Sequence, residues 1–136
     1  MNKRFLLASC LALFALIVSA CGGSKTTEVD VTLTDFGIKS SLTTFQTGVP
    51  YHFVVTNKGA VVHEFMIVPP QTAGTASSEE LDKIAIGHIE ESDLQSGVTK
   101  TVAVTFTEPF PAGTLEMACH LPGHYEAGMK LPIIVQ

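Results

Sequence analysis

Near the C-terminus a thiol, an imidazole and a thioether recur at equal spacing, as Cys119-x4-His124-x4-Met129. These are soft or borderline donors, and copper favours such a set. Pro122-Gly123 lies between the first two and can turn the chain tightly there. The stretch lacks a second imidazole. His63 can supply one from 56 residues before Cys119. Two His, one Cys thiolate and a weak axial Met form the donor set of a blue-copper electron-transfer site. Only non-local strand pairing can bring His63 to Cys119, so the donor set demands a fold built on such pairing.

The rest of the chain supplies strands. Val29, Val31 and Leu33 alternate with Asp30, Thr32 and Thr34, and a strand from Glu28 follows. A second, irregular strand is expected over 38–45. Tyr51, Phe53 and Val55 alternate again, and Asn57-Lys58-Gly59 reads as a turn. The strand carrying Phe65 and Ile67 stops at Pro69-Pro70. Val102, Val104 and Phe106 mark a strand within 98–107, and 108–113 reads as a loop. Over 114–119, Leu115, Met117 and Cys119 share one face, which turns the Cys119 sulfur inward. The closing strand is 130–135. Between them, 71–97 is the least strand-like part. Ser78 as N-cap, with Glu79 and Glu80 in the first turn, predicts a short helix ending near Gly87, with Leu81, Ile84 and Ala85 inward. Seven or so short strands read as an antiparallel β-sandwich.

Residues 1–20 are excluded from the fold. Lys3 and Arg4 precede an apolar run from Phe5 to Val18, which is the pattern of a secretory signal. The run ends in Val18-Ser19-Ala20-Cys21, which resembles the bacterial lipobox. That resemblance implies cleavage before Cys21 and lipidation of its thiol and amine. Two or more acyl chains anchor a protein stably where one does not. Residues 21–27 then form the lipidated Cys and a flexible tether, and 28–136 the folded domain. Cys10 leaves with the signal and Cys21 carries lipid, so Cys119 remains as the one free thiol in an oxidising compartment. Metal coordination would protect it. The formal charge is −5, with 13 acidic residues, and losing Lys3 and Arg4 makes it −7. That balance argues against a nucleic-acid partner.

His63 followed by Cys119-x4-His124-x4-Met129 resembles the cupredoxins, the plastocyanin and azurin family of small blue copper proteins. The resemblance spans roughly 28–136. It implies an all-β, cupredoxin-like Greek-key β-sandwich with one short helix, and one mononuclear type 1 copper held by His63, Cys119, His124 and Met129. It also implies an electron port at His124, ringed by Leu121, Pro122 and Tyr125. In one respect the chain departs from the pattern: Glu64 follows the first His, where many members have Asn. Met117 is expected in the core, and His52 and His88 at the surface. His120 should point to the other face of its strand from Cys119, as a surface or supporting residue.

The function expected is a one-electron carrier, lipid-anchored on the extracytoplasmic side of a bacterial membrane. Its partners would be redox proteins, with no nucleic acid and no small-molecule substrate, and a monomer is the default. The alternative is a copper-trafficking or copper-buffering lipoprotein with the same ligands. A closed Cys-containing site and the lack of Met-rich or His-rich tracts favour the carrier. Catalytic copper proteins of related fold add His-x-His pairs; no two His are two apart here, and an enzyme is not expected. Zinc on a Cys-His-His triad and a metal-free scaffold are the remaining readings, and the scaffold leaves the donor spacing unexplained.

Overall fold

The computed structural model describes residues 26–71 and 77–136. The expected signal, the expected lipidation position Cys21 and most of the expected tether lie outside those residues. Nine strands and one helix are present among the described residues: β1 Thr27–Thr34, β2 Gly37–Ser40, β3 Thr44–Phe45, β4 Pro50–Asn57, β5 Phe65–Val68, α1 Ser78–Ile84, β6 Gly87–Ile89, β7 Thr99–Thr105, β8 Phe110–Ala118 and β9 Lys130–Val135. β1 starts one residue earlier than expected, at Thr27 within the predicted tether.

Two sheets form, in the orders β2-β1-β4-β7 and β3-β9-β8-β5-β6. The sandwich is as expected, but it is not purely antiparallel. β1 pairs β4 in parallel, with Val31 opposite Val55, and β3 pairs β9 in parallel. The reason lies in 38–45. This stretch is two strands rather than one, and the chain crosses from the first sheet at β2 to the second at β3.

The core lies between the sheets. Val29, Val31, Leu33, Phe53, Val55, Phe65, Ile67, Leu115, Met117 and Cys119 bury there on alternating positions, as their period of two requires. Phe45 of the two-residue β3 packs on Tyr51, Phe53 and Phe106, with ring centroids 5.0–5.5 Å apart. A second cluster sits on the outer face of the second sheet, where Leu81 of α1 covers Met66, Val68, Ala118 and Tyr125. β5 is therefore buried on both faces, and so is the end of β8, where alternation predicted an outward Glu116 and Ala118.

The helix differs from expectation in detail. Its N-cap is Ser77, not Ser78. The Ser77 hydroxyl accepts from the Glu80 N–H, and the Glu80 carboxylate accepts from the Ser77 N–H, a reciprocal capping box. The helix stops at Ile84, short of Gly87, because β6 begins there and pairs with β5. Ile84 is consequently exposed, and only Leu81 is fully inward. β8 begins at Phe110, inside the predicted loop. Its pairing with β9 shifts register between Phe110 and Leu115, which is why the alternation fades there.

Candidate metal centre

Three elements converge at one end of the sandwich. β4 delivers the loop 58–64, β8 ends at Ala118 immediately before Cys119, and the segment 119–129 returns to β9. Asn57, fully buried, organises the first loop. Its side-chain amide donates to the carbonyls of Val61 and Leu94, both at 2.8 Å, and its oxygen accepts from the Gly59 N–H at 2.8 Å. The His63 N–H donates to the Leu94 carbonyl at 3.3 Å. The 119–129 segment is a tight turn with its own hydrogen bonds, His124 N–H to Leu121 O at 2.9 Å and Ala127 N–H to Gly123 O at 3.0 Å. Gly123, after Pro122, takes φ 85°, the left-handed conformation the Pro-Gly pair predicted.

Three of the four expected donor side chains come together. His63 Nδ1 lies 3.1 Å from His124 Nδ1, and Cys119 Sγ lies 3.3 Å from the same His124 nitrogen. All three donor atoms fall within 4.8 Å of one another. His63 and Cys119 are fully buried, and His124 is half-buried. With metal–nitrogen distances of about 2.0–2.1 Å and metal–sulfur of about 2.3 Å, such separations correspond to ligand–metal–ligand angles of about 100°. Both separations from His124 thus suit donors that share a single first-row ion. Met129 is fully buried, and its backbone ties it to the others: Cys119 N–H donates to Met129 O at 3.1 Å, and Met129 N–H to His124 O at 3.0 Å.

Burial shapes the protonation of these groups. Desolvation pushes the Cys119 thiol up to about 11, opposed by the backbone N–H groups of Glu64 and Leu121. Desolvation and then the neighbouring His124 charge lower His63, while Asp35 works against both. A buried imidazole kept neutral has a lone pair to give. A thiol held as a thiol must release its proton to solvent when it binds a cation.

Asp35 was not singled out by the sequence. It lies in the turn between β1 and β2, with its Oδ1 3.3 Å from His63 Nε2. Its carboxylate accepts from the Ala60 N–H at 2.9 and 3.1 Å and from the Val61 N–H at 3.3 Å, and these bonds lower its pKa. Gly59 leaves the room: a Cβ there would fall on Asp35 Oδ1 and 2.7 Å from His63 Nε2. Nothing in a turn Asp-Phe-Gly distinguishes this role from ordinary hairpin chemistry.

No family model matches the chain. The copper-resistant cuproprotein CopI of Rubrivivax gelatinosus is 29% identical over 98 residues, covering 68% of this chain and 56% of that protein. The chain thus spans little more than half of that relative. CopI of Pseudomonas aeruginosa is 26% identical over 140 aligned positions, covering 80% of this chain and 76% of that protein. Among solved structures, reduced auracyanin of Roseiflexus castenholzii matches with TM-score 0.60 at 22% identity, over 84% of this chain and 99% of that one. Rusticyanin of Thiobacillus ferrooxidans matches with TM-score 0.59 at 20% identity, over 84% and 79% respectively. The chain has the cupredoxin fold.

Within this cupredoxin sandwich several expectations are refined. Glu64, standing in place of Asn, still bridges the two loops: its Oε1 accepts from the His120 N–H at 2.7 Å. Burial raises its pKa, with that same N–H opposing. Tyr125 does not ring His124 at the surface. It is buried, and its hydroxyl donates to Glu116 at 2.6 Å. His120 stacks on the Tyr125 ring with centroids 4.4 Å apart, a supporting position rather than a ligand one. Met117 is in the core and His52 is exposed, as expected. His88 is half-buried between Asp82 and Glu90, 3.3 and 3.6 Å from its Nδ1, because β6 carries it under α1.

Proposed function

We propose that the protein is a type 1 blue copper protein that carries single electrons. The convergence of Cys119 Sγ and the two Nδ1 atoms is the observation that supports this most directly. In this reading His63 and His124 bind as neutral imidazoles, Cys119 as thiolate and Met129 as weak axial ligand. Copper supplies the one-electron couple. The protein's part is to fix one geometry for both oxidation states, through two interlocked loops on a rigid sandwich, so that little moves when the electron does. His124 is the electron port, being the ligand that reaches the surface. Half-buried Leu121 and exposed Pro122 give it an apolar surround suited to brief docking. The partners are redox proteins, and no substrate is turned over. The Cys21 lipid would hold the domain on the extracytoplasmic face of a bacterial membrane.

A second reading has specific support. Both curated relatives are copper-resistant cuproproteins, which favours a role in binding or handing on excess copper. The same ligands serve either role. One experiment separates them. Residues 22–136 are loaded with Cu(II), and the visible and electron paramagnetic resonance spectra are recorded through cycles of reduction and reoxidation. A carrier gives an intense visible band that bleaches and returns without loss of metal, and Cys119→Ser abolishes the band. Metal shed on reduction supports trafficking, and an unchanged band in Cys119→Ser would sink the ligand assignment.

A further inference from the structure

We propose that Asp35 is a positioning residue for the metal centre, which fixes the tautomer and the donor strength of His63. The inference rests on the copper reading above, and goes beyond its four ligands. His63 has two nitrogens on opposite edges of its ring. Nδ1 faces His124 and Cys119, and Nε2 faces Asp35 Oδ1 at 3.3 Å. Nε2 is buried and has no hydrogen bond of good geometry, so the 3.3 Å approach of Asp35 Oδ1 is its one polar contact among the described residues. If Nδ1 gives its lone pair to a metal, the proton of the neutral ring must sit on Nε2. Asp35 is the group placed to receive it. The carboxylate is itself fixed by the Ala60 and Val61 N–H groups, and Gly59 keeps the path between the two side chains clear. Carboxylate–histidine–metal relays of this kind hold the ring in place and raise its basicity.

The consequence is a bias between oxidation states. A negative charge behind His63 favours Cu(II) over Cu(I), so Asp35 lowers the reduction potential. Asp35→Asn removes the charge yet keeps an oxygen for Ala60 and Val61, so the loop retains its hydrogen bonds. In the copper-loaded full chain in detergent, Asp35→Asn should keep the blue band, move the potential positive and bind Cu(II) roughly 10–100-fold more weakly. Asp30→Asn is the control. It removes an exposed carboxylate five residues back along β1, about 17 Å away at strand rise, and should move neither quantity. Equal potentials and affinities in the two variants would overturn the proposal. A metal-free arm stands apart from the copper reading. Imidazole 15N NMR of the apoprotein should show His63 protonated on Nε2 in the wild type, and that preference lost in Asp35→Ala, which removes the acceptor altogether. An identical His63 tautomer in both would also overturn it. A wild type that never turns blue, with the tautomer result intact, would instead remove the copper reading and leave the Asp35–His63 contact standing.

Discussion

Cys119 carries two opposed demands. Packing between Leu115, Met117 and the loops buries it completely, which suits a thiol, whereas a ligand must be a thiolate. Burial raises its pKa from 9.0 to about 11 in the metal-free fold. The unfolded chain therefore gives up this proton more readily. The sign follows from linkage: the stabilisation is fully present below pH 9.0 and is lost as pH rises through about 11. Urea midpoints of the apoprotein should fall more steeply over that window than those of Cys119→Ser, which has no thiol to titrate. Parallel slopes would mean that the sulfur is solvated after all. Copper loading near neutral pH must likewise expel the proton, so unbuffered loading should acidify the solution, and apparent affinity should rise with pH. A second residue-scale expectation concerns Met129. Met129→Leu preserves its burial and the backbone bonds to Cys119 and His124, so the blue band should survive while the potential shifts, read by spectroelectrochemical titration.

Besides the Glu64 bond to His120, the 119–129 turn is tied to the sheet through Tyr125. Tyr125 donates to Glu116 on β8 at 2.6 Å and accepts from the Gln71 N–H at 3.2 Å, while its ring meets His120 and, at 4.2 Å, the Lys130 ammonium. Burial first, and then the bond to Glu116, push its phenol up to about 12, so it stays a donor throughout the physiological range. Tyr125→Phe leaves the buried Glu116 carboxylate without that donor. A cost of about 1–3 kcal/mol in chemical denaturation is expected, and the double variant with Glu116→Gln should recover part of it. Full additivity of the two changes would show that the pair is not coupled. This strut marks where sequence reading stopped. Alternation placed Glu116 outward, which is correct for the sheet, but periodicity cannot say that α1 and Tyr125 then cover that face. The same limit hid β6, three residues long, and the split of 38–45 between sheets. By contrast, β1, β4 and β9 were legible because each places an alternating apolar set in one core, and β5 because it is apolar throughout.

At the scale of the whole molecule, the candidate donors were legible and the groups around them were not. Cys119, His124 and Met129 stand out by spacing, and His63 as the upstream imidazole just before β5. Asp35 and Asn57 act only through loops that the sandwich brings together, so no local pattern marks their roles, and Glu64 stands out only by its place after His63. Their arrangement bears on how the site assembles. Asn57 to Val61 and Leu94, Glu64 to His120, and Ser96 Oγ to Gly59 O at 2.7 Å are bonds between protein groups that need no ion. The aromatic core around Phe45 lies on β3, β4 and just past β7, and none of its rings is a candidate donor. The metal-free chain should therefore fold without copper, with the far-ultraviolet circular dichroism of the loaded protein and a single cooperative thermal transition. Copper then acts as a ligand of the native state. Its stabilisation grows with free metal, by about 2.7 kcal/mol at a hundred times Kd, so Tm should climb with copper concentration while the folded spectrum stays the same. An apoprotein that is unfolded until copper is added would show that the loop network is a product of the metal rather than its frame, and the preformed 3.1 and 3.3 Å separations of the donors could not then explain a low-motion electron site.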